Sequence, residues 1–177
     1  MIGYRAWEPG IDEKNNPILK SVTVDYCWES NVVGCKIDSL MQSLPDVYLC
    51  SDFKPDDSVG FYAFNDIDEA WLDMCANDAG YIFGEVNGFG KIAIHERGFR
   101  SQYSQIFRFL SYIRCTLCDK MANLYFINDN VITVCSECQD SVLPLLKTIR
   151  CQYDGKTYIK HLCKKYEVVD LIHYMED

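Results

Sequence analysis

The chain has 177 residues, 49% of them hydrophobic and 14% aromatic, with 26 acidic against 17 basic side chains and a formal net charge of −9. Such a composition excludes a disordered polar chain, and no apolar run approaches the length needed to cross a membrane. The opening MIGYRAWEPGIDEKNN lacks a basic stretch followed by an apolar one, so a cytoplasmic protein with no membrane partner is expected.

In chain order, "GYRAW" and "ILKSVTV" read as strands around a turn-rich "EPGIDEKNNP", and "FYAF" reads as a further short strand. "DIDEAWLDMCAND" has helical spacing, with Asn65 or Asp66 as N-cap, Ile67, Ala70, Trp71 and Met74 on one face, and Gly80 as the stop. "YIFGEV", "GKIAIHE" and "RSQYSQIFRFL" alternate as strands, with hairpin-like turn signals at Asn87-Gly88 and Arg97-Gly98. Residues 1–110 thus form an acidic, antiparallel β-rich α+β domain. No flexible tether separates it from residues 111–177, so the junction near 110–114 is short and packed.

The charge is uneven. Residues 1–110 carry nine Lys and Arg against seventeen Asp and Glu, whereas residues 111–177 carry eight against nine. Residues 46–78 hold Asp52, Asp56, Asp57, Asp66, Asp68 and Glu69 among nine acids, against Lys54 alone. Phe61, Tyr62, Phe64 and Trp71 are interleaved with them, a pattern that suits docking to a protein with a basic surface and disfavours direct nucleic-acid binding there.

"GYRAW", "GFYAF" and above all "GEVNGFGKIAIHERGFRSQY" resemble a family of proteins of bacteria and their phages whose pattern is Gly-x-Val, Gly-x-(Ile/Val), then His-Glu-x-Gly-(Tyr/Phe)-Arg. The resemblance covers about residues 2–110, is most specific at Gly84, Gly90, His95, Glu96, Gly98 and Arg100, and implies a shared domain but no activity. Relatives often carry a His and paired Cys ahead of "GFYAF", where this chain has Met41, Cys50 and Ser51.

The most specific signal is "CTLCDKMANLYFINDNVITVCSEC", in which Cys115 and Cys118 precede Cys135 and Cys138 with the spacing of a zinc site. Two Cys-x-x-Cys turns let four soft thiolates surround one Zn2+, and a full thiolate shell leaves no open position, so the ion is expected to be structural. "NLYFI" and "VITV" form the hairpin between the pairs, and "QDSVLPLLKTIR" has the composition of a following helix capped by Asp140 or Ser141. Knuckle, hairpin and helix together resemble a treble-clef finger. No His lies between the pairs, which disfavours the nuclease chemistry of some such fingers.

"KTYIKHLCKKYEVVDLIHYMED" reads as an amphipathic helix with Ile159, Leu162, Cys163, Tyr166 and Val169 inward; Lys147, Arg150, Lys156, Lys160, Lys164 and Lys165 around it are read as a solvated face. For an enzyme, Cys27, Cys35, Cys50 and Cys75 are candidate nucleophiles and His95-Glu96 a candidate base and orienter, although neighbours on a strand point apart. "SDFKPDDSVGFYAFNDIDEAW" also resembles a segment of ADP-ribosyltransferase-like domains, which would place NAD near Arg5, Tyr62 and Glu85 or Glu96. The reading with most support is a zinc-stapled α+β module that binds a protein and has no catalytic residues of its own. An inhibitor or mimic of phage type, acting on a nucleic-acid-binding host or immune complex, would fit it.

Overall fold

The computed structural model describes residues 1–22, 26–34, 47–49, 60–70, 80–110, 113–118, 120–127 and 130–170. It is an α+β fold in which antiparallel strands dominate. The first unit contains β1 (Ile2–Ile11), β2 (Pro17–Ser21), β3 (Cys27–Trp28), β4 (Val32–Gly34), β5 (Val47–Leu49), β6 (Phe61–Phe64), β7 (Ile82–His95) and β8 (Gly98–Phe109). The second contains β9 (Asn123–Ile127), β10 (Asn130–Val134), β11 (Cys151–Asp154), the helix α1 (Gly155–Tyr166) and β12 (Val169–Asp170).

The pairings of the first unit close on themselves: β1 joins β7, β7 joins β8, β8 joins β6, and β6 returns to β1 through Tyr4 and Phe64. Closure leaves these strands no long free edge. Alternation along β1 and β7 separates two apolar sets. Trp7, Ile82 and Val86 turn into the main core, while Ala6 and Phe83 join Phe64 in a smaller cluster on the other face. Inside, the Trp7 ring meets Trp28 and Phe109 edge-on at 5.4 and 6.0 Å.

Several expected elements fall where the sequence places them, and the exceptions have local causes. β1 runs on through Pro9-Gly10 to Ile11, and the turn begins at Asp12, whose carboxylate accepts from the Lys14 and Asn16 N–H groups. Asn87-Gly88 is not a turn: both residues lie inside β7, paired with Gln105 and Ser104, and a Cβ at Gly88 would run into the Phe99 ring. The glycine serves close packing there. The irregularity comes at Gly90, with φ +75, in a register shift between Phe89 and Ile92. The other turn signal holds, since His95 pairs with Gly98 across Glu96-Arg97. Asp66 caps the helical turn at residues 67–70, but Ile67 is exposed rather than inward; Trp71 and Met74 lie outside the described residues.

The second unit packs on the first through a continuous core containing Trp7, Leu19 and Trp28 together with Leu124, Phe126 and Tyr158. Two buried tyrosines of α1 fasten it. The Tyr158 hydroxyl accepts from Gly10 N–H at 2.8 Å and lies 2.5 and 2.9 Å from the Gly10 and Ile18 carbonyls. The Tyr166 hydroxyl accepts from Leu19 N–H at 3.1 Å and donates to the Trp28 carbonyl at 2.5 Å. Burial holds the Tyr158 phenol well above its usual range and pushes Tyr166 up to about 12 despite the Leu19 bond, so both remain neutral donors. α1 ends at Tyr166, with Glu167 left-handed at φ 54. The β-branched Val168-Val169 that follows leaves the helix, and Val169 belongs to β12, beside Arg108 of β8. No helix among the described residues is long and apolar enough to cross a membrane.

Candidate metal centre

The hairpin explains how two distant cysteine pairs meet. Asn123 pairs with Val134 at its open end, so Cys115 and Cys118, just before β9, stand beside Cys135 and Cys138, just after β10. The four Sγ atoms lie within 4.8 Å of one another, with Cys118 and Cys135 at 3.4 Å. Four sulfurs about 2.3 Å from one tetrahedral ion are about 3.8 Å apart, so this cluster can hold a metal ion with little adjustment.

Each turn is held by backbone bonds that also point donors at sulfur. Cys115 N–H donates to Lys120 carbonyl at 2.7 Å, Leu117 N–H to Cys115 Sγ at 3.4 Å, and Cys138 N–H to Cys135 carbonyl at 3.1 Å. Thr116 N–H reaches Thr133 carbonyl at 3.0 Å and so ties the first knuckle to β10. Burial raises the Cys115 thiol, but backbone donors from Cys135, Leu117 and Cys118 outweigh it and bring it down to about 7. Hydrogen bonding with Cys118 and Cys135 pushes Cys138 up to about 12. Four thiols this close cannot all ionise without a cation, so metal uptake must release protons. Lys120 Nζ also bridges the two knuckles, 2.6 and 2.7 Å from the Glu137 carboxylate oxygens, on the exposed side.

The segment after Cys138 differs from expectation. In place of an α-helix there are two 3-10 turns, Gln139–Val142 and Leu145–Thr148, neither burying a residue. Pro144 lacks the N–H that would continue an α ladder, and Leu143 N–H bonds three residues back to Asp140. β11 then pairs with β9, and only afterwards does α1 begin, capped by Asp154 through the Lys156 and Thr157 N–H groups. The helix that a treble clef joins directly to its second knuckle is therefore displaced beyond a third strand.

Those of the other candidates that are described lie apart from the thiol cluster. Asp52, Asp56 and Asp57, like Cys35, Cys50 and Cys75, fall outside the described residues. Asp66 is engaged in capping, Glu69 pairs with Arg97 at 3.3 Å, and Asp68 is exposed. Cys27 sits on β3 near Tyr166, whereas His95 closes β7 beside the Tyr62 ring; burial and then Arg100 lower the His95 pKa.

Arg5 is 6% exposed, donates to Tyr62 carbonyl at 2.5 Å and Ser21 Oγ at 3.3 Å, and lies over Trp28 at 5.5 Å. Burial and then Arg100 lower it to about 10. It fills the split where the edge of β1 passes from β6, at Tyr4, to β2, at Trp7. Glu85 is opposite Tyr4 and so on the other face from Arg5, where Arg108 holds it with two bonds of 2.6 Å. Sequence reasoning missed this ion pair and the tyrosine fastenings, because each joins residues far apart in the chain.

Comparison with protein-family models, curated proteins and solved structures finds no match.

Proposed function

We propose that the chain is a non-enzymatic binding module stapled by one structural Zn2+ at Cys115, Cys118, Cys135 and Cys138, and that its acidic side docks a protein with a basic surface. The observation that carries the reading is the thiol cluster itself: four sulfurs in mutual reach fill a tetrahedral shell and leave no position for substrate. Tetrahedral sulfur sets hold zinc or iron. Metal analysis of the purified protein separates them, with one zinc per chain expected, and a coloured iron protein would remove the zinc assignment.

The reactive groups elsewhere favour binding over catalysis. An NAD-dependent ADP-ribosyltransferase would need Arg5 and Glu85 or Glu96 around one pocket, but Arg5 is buried in the barrel wall and Glu85 is tied to Arg108 on the other face. A cavity of about 30 Å³ at the seam of the two units has only Lys20 and Arg150 as ionisable lining. The excess of acids in residues 46–78 then supplies the contact, and the resemblance to phage proteins suits a partner within a nucleic-acid-binding host complex. Co-purification from host lysate tests this. A stoichiometric protein should be recovered, weaken with salt, and be lost on exchanging Asp52, Asp56, Asp57 and Asp68 for Asn. Consumption of NAD, abolished by Arg5→Lys or Glu96→Gln, would replace the reading with the enzyme.

A further inference from the structure

The outer face of the barrel changes character along β7 and β8. Paired residues of a sheet share a face, as do residues two apart along a strand. Tyr4, Glu85 and Arg108 form one outward row, Ile2, Asn87, Gln105 and Val32 the next, and Phe89 with Tyr103 a third. Phe107 is the extra residue where β8 shifts register against β7, and the Arg108 guanidinium lies 5.9 Å from its ring. Beyond Tyr4, the side chains of Phe64, Ala70 and Phe83 bury one another. In the other direction Ile2, Val32, Phe89, Tyr103 and Phe107 are each between 37 and 57% exposed.

This is the reverse of a wall built for water. From Ser101 to Phe107, β8 turns Ser101, Ser104 and Ile106 inward and Tyr103, Gln105 and Phe107 outward. An antiparallel sheet wetted on one face puts its polar residues there, yet here two serines are buried and two aromatic rings meet solvent. The Tyr103 ring spreads over Gly34 of β4, where a Cβ would meet it at 2.7 Å, and stacks on Phe89 at 5.3 Å. At about 150–250 Å² per aromatic side chain, the three rings leave roughly 200–300 Å² in water. Ile2 and Val32 bring the apolar face to about 400 Å², as large as the patches through which monomers usually act.

We propose that this face pairs two copies of the chain in a two-fold, sheet-on-sheet dimer. Interfaces are about 60% apolar, so about 400 Å² of apolar face implies about 1,300 Å² buried over both copies, at the small end of stable interfaces. The polar groups suit a second copy. A two-fold interface sets a patch against itself, where groups of one sign repel. Gln105 and Asn87 carry amides, which both donate and accept, and Arg108 balances Glu85 with its two bonds. The Met1 ammonium at the rim is bonded to Asn87 Oδ1 at 3.1 Å and the Gly88 carbonyl at 2.8 Å. A chain of net charge −9 thus meets its copy where its own charge is balanced. A basic protein fits less well, since the one acid on these rows is engaged. A single-stranded nucleic acid or an anionic membrane would want cations beside the rings, and Arg108 is already paired. The proposal is independent of the acidic docking surface.

The test is sedimentation velocity of the full-length, metal-loaded protein across about 2–200 µM. A reversible monomer–dimer equilibrium is expected, and raising salt from about 0.1 to 0.5 M should not weaken it. Phe107→Thr with Ile2→Thr, both exposed, should raise the dimer dissociation constant about 30-fold or more, because each lost anchor counts twice. Metal content should be unchanged, as should the melting temperature at concentrations where the parent is monomeric. Leu145→Thr, equally exposed on the cysteine module, should leave the equilibrium as it was. A chain monomeric at every concentration overturns the proposal, as does a dimer indifferent to Phe107→Thr with Ile2→Thr or one that salt dissociates. A monomer that floats with phosphatidylcholine vesicles would assign the face to a membrane and overturn it too.

Discussion

The barrel and the cysteine module reach order by different routes. The barrel encloses Trp7, Trp28, Phe99 and Phe109 at 0% exposure, and β1 closes it by pairing with the distant β6 and β7. The module has a three-stranded sheet, but its second knuckle runs into two 3-10 turns that set only Val142 and Leu146 partly against the core and leave Leu143 and Leu145 exposed. Packing is dense in the first and thinner at the end of the second, where a metal cross-link would add most. This difference sets where each unit should fail.

The largest effect should come from the staple. Zinc binding releases about 10–16 kcal/mol in isolated finger peptides, and retaining even about 4 kcal/mol here would be worth roughly 8–16 °C in melting temperature. Cys135→Ser, or a strong chelator, should lower the melting temperature by about 10 °C or more and abolish metal content. Calorimetry with and without chelator would show it; an unchanged transition would mean the module is held by packing alone.

Trp7→Ala should probe the other route, at a cost of about 3–5 kcal/mol for emptying a buried aromatic site, with metal stoichiometry unchanged. Arg5 refines the contrast because its buried guanidinium has carbonyl, hydroxyl and ring neighbours in place of a carboxylate. Arg5→Met keeps the volume and removes the charge but leaves the Tyr62 carbonyl without this donor, so it should cost about 1–3 kcal/mol in denaturant titrations. A larger loss would show that closing the β6–β2 split requires the cation itself.

The seam between the two units is next. Tyr158→Phe leaves the Gly10 N–H without its partner and strips a hydroxyl from between two carbonyls, so a loss of about 1–3 kcal/mol is expected. If the same loss recurs after metal removal, the two units are ordered independently. If it disappears, the metal is what seats α1 on the barrel.

The pattern of what was legible follows from range. Cysteine spacing at Cys115, Cys118, Cys135 and Cys138 is a local signal and locates the four-thiol cluster, as alternation locates β1, β9 and β10. The misread places are those where a local signal meets a distant constraint. Asn87-Gly88 favours a turn locally, but the Phe99 ring across the barrel decides the role of Gly88. Pro144 is tolerable in the first turn of a helix after Cys138, yet the chain there takes two 3-10 turns instead. Barrel closure, the Glu85–Arg108 pair and the Tyr158 and Tyr166 anchors join residues that no short window contains.

The smallest effect tests how α1 starts. The Asp154 carboxylate accepts from Lys156 N–H at 3.1 Å and Thr157 N–H at 3.3 Å, and hydrogen bonding with Thr157, chiefly, lowers its pKa. A carboxyl lowered in the folded state binds protons more readily when unfolded. Its contribution is therefore complete above the ordinary value of 3.8 and disappears as pH falls through the folded value. Asp154→Ala should cost about 1 kcal/mol at neutral pH, and the gap from the parent chain should close in acid below pH about 4. Asp154→Asn keeps an acceptor and removes the titration, so it should hold most of the cap without that pH dependence. Were Asn to lose as much as Ala, the charge would matter more than the hydrogen bonds. That outcome would make the dipole the main constraint on the end of α1 and sharpen the cost of placing Lys156 there.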